Sequence, residues 1–241
     1  MFGSIFSGLL DILFPPNCIL CKTYTGNQPA TLLLCGRCAD TIEMNRPPFC
    51  QKCSRHITCP EEAYCPDCRR SAHAFDRGWG VCLYTPPMRR LLHLFKYGNR
   101  TALRRVFGRW IFSFIDTYHI DLTGVDLVLP VPLHNVRIRE RGFNQAGILA
   151  GMIAKEFSIP VSHKNLIRIR PTENQARLNQ KERWTNIHGA FKIKHPSEII
   201  GKSVLIIDDL LTTGATLSEI TRILKQCGAQ SVTVLTLAIA P

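Results

Sequence analysis

Two adjacent carboxylates, Asp208 and Asp209, follow the apolar run Val204–Ile207 and stand just ahead of Thr212-Thr213-Gly214-Ala215-Thr216. Four consecutive apolar residues without polar alternation read as a parallel strand covered on both faces. The segment Thr216 to Cys227 is amphipathic at helical spacing, so the Thr/Gly run opens a helix. Small residues there leave backbone N–H groups free, and the positive end of the helix dipole favours an anion. A phosphate suits that position, while the carboxylates can take sugar hydroxyls or hold Mg²⁺ through water. An ordinary helix cap explains one Thr or one Asp. It does not explain two acids after an apolar strand and three threonines around a glycine.

A second chemistry lies upstream, in four CxxC pairs: Cys18/Cys21, Cys35/Cys38, Cys50/Cys53 and Cys65/Cys68. Each such turn aims two thiolates at one centre, and two turns supply the tetrahedral sulfur set that Zn²⁺ prefers. Thirteen residues separate the first two pairs and eleven the last two, enough for a small hairpin in each case. The spacing predicts two Cys₄ sites, structural because a full sulfur set leaves no open position for catalysis. Sequential pairing gives two zinc ribbons and a cross-braced arrangement links alternate pairs. Spacing does not decide, but sequential pairing lets each hairpin close on itself. Cys59 and His56 read as bystanders, and Cys82 and Cys227 as small buried residues.

The elements that must position these groups are legible in order. Residues 2–14 carry apolar residues at helical spacing, stopped by Pro15-Pro16, and read as a structural helix packed on the protein's own core. The cysteine pattern ends near Ala74-Phe75-Asp76, which places a domain boundary between 1–75 and 76–241. Trp79–Tyr84 reads as a strand. Pro86-Pro87 then introduces a helix ending in Lys96, Tyr97 and Arg100, a cluster that fits a solvated face and an anion contact equally. A second helix from Thr101 has a wide apolar face. Asp126–Leu129 reads as the first core strand, followed by a proline-stiffened loop, open to a cis bond, with His134, Arg137, Arg139 and Arg141. A helix opens at Gly142–Gln145 and runs to about Phe157. Ligands of open α/β sheets bind beyond the carboxyl ends of the strands, so these arginines share an edge with Asp208. His134 reads as a local hydrogen-bonding residue. Residues 168–191 are polar and aperiodic, either a functional lid with Gln175, Arg183 and Asn186 or a plain surface loop. Ser231–Ile239 reads as a final strand.

With 241 residues, 45% of them hydrophobic, the chain can bury a substantial core, which excludes a disordered polypeptide. Its net charge of +12 is unevenly placed: residues 1–75 hold seven Lys/Arg and six Asp/Glu, leaving 23 and 12 for the remainder. A polyanionic partner follows as an expectation, against the alternative of a basic surface with no partner. No signal peptide and no run of membrane-spanning length is evident, and nine of eleven cysteines sit in the metal-spaced segment. A reducing cytoplasm is the expected compartment.

The stretch VLIIDDLLTTGAT resembles the ribose-5-phosphate signature of type I phosphoribosyltransferases, which bind phosphoribosyl pyrophosphate (PRPP). That resemblance implies an α/β fold, a type I phosphoribosyltransferase-like parallel sheet flanked by helices. It assigns Asp208 and Asp209 to the ribose hydroxyls, and Thr212, Thr213, Gly214, Ala215 and Thr216 to the 5′-phosphate. It puts Arg139 and Arg141, before Arg137, at the pyrophosphate. It also makes 168–191 the loop that closes over PRPP. Such enzymes select an acceptor with a hood outside the sheet; the final strand is followed here only by Ala240 and Pro241, so a hood is expected from the zinc module or residues 76–115.

The order of the cysteine pairs, PPMRRLLHLFKYGNR, VPLHNVRIRERGFNQ and the terminal signature resembles the ComF (ComFC) family of competence-associated proteins. The resemblance implies a cytoplasmic protein that assists natural transformation, handles single-stranded DNA and works with a DNA-uptake helicase where one exists. Some relatives without competence are linked to gluconate utilisation. Three readings follow: a PRPP-binding, DNA-handling ComF protein; a phosphoribosyltransferase acting on a small base or amine; and a zinc scaffold with a vestigial PRPP site.

Overall fold

A computed structural model describes residues 17–25, 33–59, 61–70, 73–98, 100–171 and 180–240. The expected helix over 2–14 and the lid candidate Gln175 lie outside them. The described chain runs α1 (Gly36–Asp40), α2 (Pro66–Arg70), β1 (Arg77–Leu83), α3 (Pro86–Tyr97), α4 (Leu103–Thr117), β2 (Leu127–Pro130), α5 (Asn135–Arg141) and α6 (Gln145–Glu156). It continues through β3 (Leu166–Arg168), α7 (Gln180–Ile187), β4 (Phe191–Ile193), β5 (Ser203–Leu211), α8 (Ala215–Gln226) and β6 (Ser231–Ile239).

The central sheet is parallel, in the order β1-β6-β5-β2, and β3 and β4 pair separately as antiparallel strands. Successive side chains of a strand face opposite ways. On β5, Leu205 and Ile207 therefore enter one core with Leu91 and Phe95 of α3, Phe107 of α4 and Leu149 of α6. Val204 and Ile206 enter the other, with Leu217 and Ile220 of α8 and Phe191 of β4. Helices cover both faces, which is why this run needs no polar residue.

The cysteine-rich segment feeds both cores. Cys18, Ile19, Leu34 and Ile42 pack into the α3/α4 side, while Cys50, Cys53, Ile57 and Phe75 pack into the α8 side. Residues 43–54 run along the outer margin of β1. Asn45 donates from its backbone N–H to the Val81 carbonyl and from its buried amide to the carbonyls of Ser54 and Gly80, at 2.7 and 2.9 Å. Gly80 N–H in turn donates to Ser54 Oγ at 2.8 Å. Along β2, Val128 N–H donates to the Pro160 carbonyl and accepts at its own carbonyl from Ser162 N–H.

Two expectations need correction. Arg137, Arg139 and Arg141 lie on the short helix α5 rather than in a loop. His134 caps it, with Nδ1 accepting from Val136 N–H, and Gly142 ends it at a left-handed φ of 77°. The preceding prolines are in trans bonds, since the cis peptide among the described residues is Pro47–Pro48. Within the polar stretch 168–191, the described residues 180–187 form the helix α7 between β3 and β4, where the sequence shows no clear periodicity.

Candidate phosphoribosyl site

Strand β5 carries Asp208 to the carboxyl end of the sheet, where it pairs in register with Thr236 of β6. Asp208 Oδ1 accepts the Asp209 N–H at 2.8 Å. The Asp209 carboxylate forms an ion pair with Lys96, in the last turn of α3. Burial, and next the Asp209 charge, push the Asp208 carboxyl up to about 8, so it holds a proton at neutral pH. Burial alone would lower Lys96, but attraction to Asp209 and Asp208 outweighs it and its pKa is raised. The two acids and the lysine thus behave as one electrostatic unit, kept neutral by the proton on Asp208 and the ion pair of Asp209 with Lys96. A ribose hydroxyl can bond to these acids, and a divalent cation could take the place of the proton.

From the acids the chain passes through Thr212 and Thr213 to Gly214, the N-cap of α8, at φ 72° and ψ 3°. A Cβ at 214 would meet His73 Cε1 at 2.5 Å, so both the conformation and the space require glycine. No side chain caps this helix. The first intrahelical donor is Ser218, whose N–H reaches the Gly214 carbonyl at 2.8 Å. Asp208 and residues 210–217 line a small polar cleft of about 60 Å³. A larger cleft, about 380 Å³, lies among Asp40–Arg46, His56 and Leu83. Its lining mixes the carboxylates Asp40 and Glu43 with Arg46 and His56.

Of the predicted arginines, Arg141 is drawn to this edge. It donates through Nη2 to Tyr97 Oη at 2.7 Å and through Nη1 to Gln145 Oε1 at 3.2 Å, with its guanidinium 4.7 Å from the Tyr97 ring centroid. Its charge is felt at Lys96. Arg139 is exposed on α5, and Arg137 pairs with Glu140 at the surface. Arg168 on β3 was not singled out by sequence: burial lowers its pKa, and Asp208 is its strongest attraction. Arg183 and Asn186 lie on α7. Just beyond, Gly189 N–H donates to the buried Glu219 of α8 at 2.8 Å, which anchors that end of the segment. Arg55 and His73, described below, were also missed. Nothing local marks them, because one reads as ribbon filler and the other as a linker residue.

The cysteines converge as Cys18, Cys21, Cys35, Cys38 and as Cys50, Cys53, Cys65, Cys68, with all sulfurs of a set within 4.8 Å of one another. Pairing is sequential. Sulfurs about 2.3 Å from a tetrahedral zinc stand about 3.8 Å apart, close to the 3.6 Å of Cys21–Cys35 and of Cys53–Cys65. Thiols so crowded do not ionise together on their own: Cys53 and Cys68 hold Cys50 far below its usual range, while Cys50 and Cys53 push Cys68 far above. A divalent metal resolves that conflict, so both sets fit structural zinc.

A double zinc ribbon domain model matches residues 9–69, and a phosphoribosyl transferase domain model matches residues 144–241. Competence protein F of Haemophilus influenzae is 28% identical over 85% of this chain and 90% of its own length. DNA utilization protein YhgH of Escherichia coli K12 is 28% identical over 83% of this chain and 94% of its own. Among solved structures, glutamine PRPP amidotransferase from B. subtilis aligns over 59% of this chain and 30% of that one, at 18% identity and a TM-score of 0.38, too loosely to argue from. Competence protein ComFC of Bacillus subtilis is 30% identical over 85% of this chain and 83% of its own. With both modules matched in order and a relative of that similarity along most of its length, the chain belongs to the ComF (ComFC) family.

Proposed function

We propose that this protein binds PRPP with Mg²⁺ at the end of β5 and acts in DNA utilisation by handling single-stranded DNA in the cytoplasm. The observation that carries the PRPP reading is the half-buried Asp208–Asp209 pair abutting the Thr212–Thr216 loop, which opens α8 around a left-handed Gly214. In this reading the two acids take the ribose hydroxyls and Thr212–Thr216 take the 5′-phosphate. Arg141, with Arg139 on the same helix, faces the pyrophosphate. Asp208 and Asp209 would hold Mg²⁺, which when bound would supply charge neutralisation of the pyrophosphate. The residues fit it, because Asp208 carries a proton that a cation would displace. The DNA half is supported by the basic excess of residues 76–241 and by the competence and DNA-utilisation names of the relatives. A DNA-uptake helicase is the matching protein partner.

Calorimetric titration of PRPP with Mg²⁺ tests the site, repeated with a single-stranded oligonucleotide to measure coupling between the ligands. Binding by the wild-type protein, and its loss in Asp209→Asn, is expected; no binding by the wild type refutes the PRPP reading. Pyrophosphate release with a panel of bases and amines would add turnover to binding.

A further inference from the structure

We propose that Arg55 and His73 are positioning residues of the Thr212–Thr216 loop, so that the second zinc ribbon forms the inner wall of the phosphate site. The inference rests on the PRPP reading and deepens it, by naming what holds the loop in its ligand-ready shape. Arg55 is 8% exposed, and its guanidinium joins three separate segments. Nη1 donates to Asp67 Oδ2 at 2.7 Å, Nε to the Ala240 carbonyl at 3.0 Å, and Nη2 to the Thr212 carbonyl. Arginine's planar, rigid fork is suited to fixing several acceptors at once, which a lysine is not.

The bond to Thr212 has a directional consequence. In a trans peptide the carbonyl and the following N–H point opposite ways. Holding the Thr212 carbonyl toward Arg55 turns the Thr213 N–H away from it. Thr212 and Thr213 both line the cleft and Arg55 does not, so the arginine acts on the loop from outside it. One buried arginine therefore fixes the orientation of the Thr212–Thr213 peptide in the wall of that cleft.

His73 acts on the next residue. It is 4% exposed, stacks on the buried Phe75 at 4.8 Å between ring centroids, and presses its ring edge against Gly214. Among the described residues neither ring nitrogen has a hydrogen-bond partner, so the ring works as a wedge rather than as a donor. Beside it, Ala74 N–H donates to Ser218 Oγ in the first turn of α8. Burial, with Arg55 nearby, keeps the imidazole neutral, its pKa lowered to about 4, and adds no charge beneath the anion site.

The metal enters through the placement of these groups. Arg55 is two residues beyond Cys53, its carbonyl accepts from Cys50 N–H at 2.8 Å, and Asp67 stands between Cys65 and Cys68. Both halves of the Arg55–Asp67 pair thus sit in turns closed by the second sulfur set. Filling that set fixes Arg55 against Thr212; emptying it frees both.

The test uses full-length, zinc-loaded protein with its zinc content and Tm measured, comparing wild type, Arg55→Ala, Arg55→Lys and Asp67→Asn. For Arg55→Ala, Mg²⁺–PRPP affinity is expected to fall by about tenfold or more with zinc content unchanged. Partial recovery in Arg55→Lys, or on adding low guanidinium, is expected only if the missing group positions the loop. If Arg55→Ala does not fold, Asp67→Asn preserves shape and should still weaken PRPP binding. Hydrogen exchange at the 213–217 amides is read in parallel, and faster exchange in the variants is expected. Wild-type affinity and wild-type exchange in a folded Arg55 or Asp67 variant would overturn the proposal. If the wild type itself binds no PRPP, the reading of the site has failed, and exchange at those amides alone decides whether Arg55 holds the loop.

Discussion

Asp208 couples the site to pH. Its folded-state pKa is raised from 3.8 to about 8 by burial and by Asp209. Between those values the folded protein holds a proton that the unfolded chain has lost, so this group's contribution to stability falls as pH rises, and its full cost is felt above about 8. Asp208→Asn removes the cost. It is expected to stabilise the protein at pH 8.5 by about 1–3 kcal/mol, visible as a Tm higher by several degrees, while PRPP binding is lost. A Tm unchanged or lowered at that pH would contradict the electrostatics assigned to the pair. The two acids and the Thr/Gly loop were legible in sequence because strand, acids, glycine and helix are contiguous and each has a local signature. Arg55 was not legible, because its partner Thr212 is 157 residues away and the bond exists only once the sheet has formed. Lys96 lies between these cases: its cluster was visible, but only the packing of α3 over the strand ends turns it toward Asp209.

At the scale of elements, the two sulfur sets differ in protection. Cys50, Cys53, Cys65 and Cys68 are all buried or nearly so, whereas Cys21 is exposed and Cys35 and Cys38 are half-exposed. A chelator with a colorimetric readout should therefore remove zinc in two phases of equal amplitude, the first from the outer set. Cys21→Ser should abolish the fast phase and leave the slow one, and a single phase in the wild type would count against the difference in shielding. The CxxC spacing was enough to anticipate two sites, and the closed hairpins account for their sequential pairing. The helical state of α5 was harder to read, because seven residues rich in arginine after a proline loop carry no apolar stripe. The β3–β4 pair escaped notice for a similar reason: three residues per strand are too few to show alternation.

Across the whole molecule, the basic excess belongs to the part of the chain that carries the phosphoribosyl-type fold. If that surface receives single-stranded DNA, affinity should fall steeply with salt, with a log–log slope of about −0.7 per phosphate neutralised. Fluorescence anisotropy with a labelled oligonucleotide between low and physiological salt measures it, and a flat response would remove DNA from the list of partners. The stitching of residues 43–54 onto β1, together with the segment through Pro160 and Ser162 on β2, restricts how any protein partner attaches. Both rims of the central sheet already spend backbone donors and acceptors on the chain's own loops. Recruitment by strand addition, a common route to sheet proteins, is thereby closed at these rims. A helicase or any other partner has to recognise side chains on the helical and ribbon faces, so the specificity of that encounter is written in surface residues rather than in main-chain pairing.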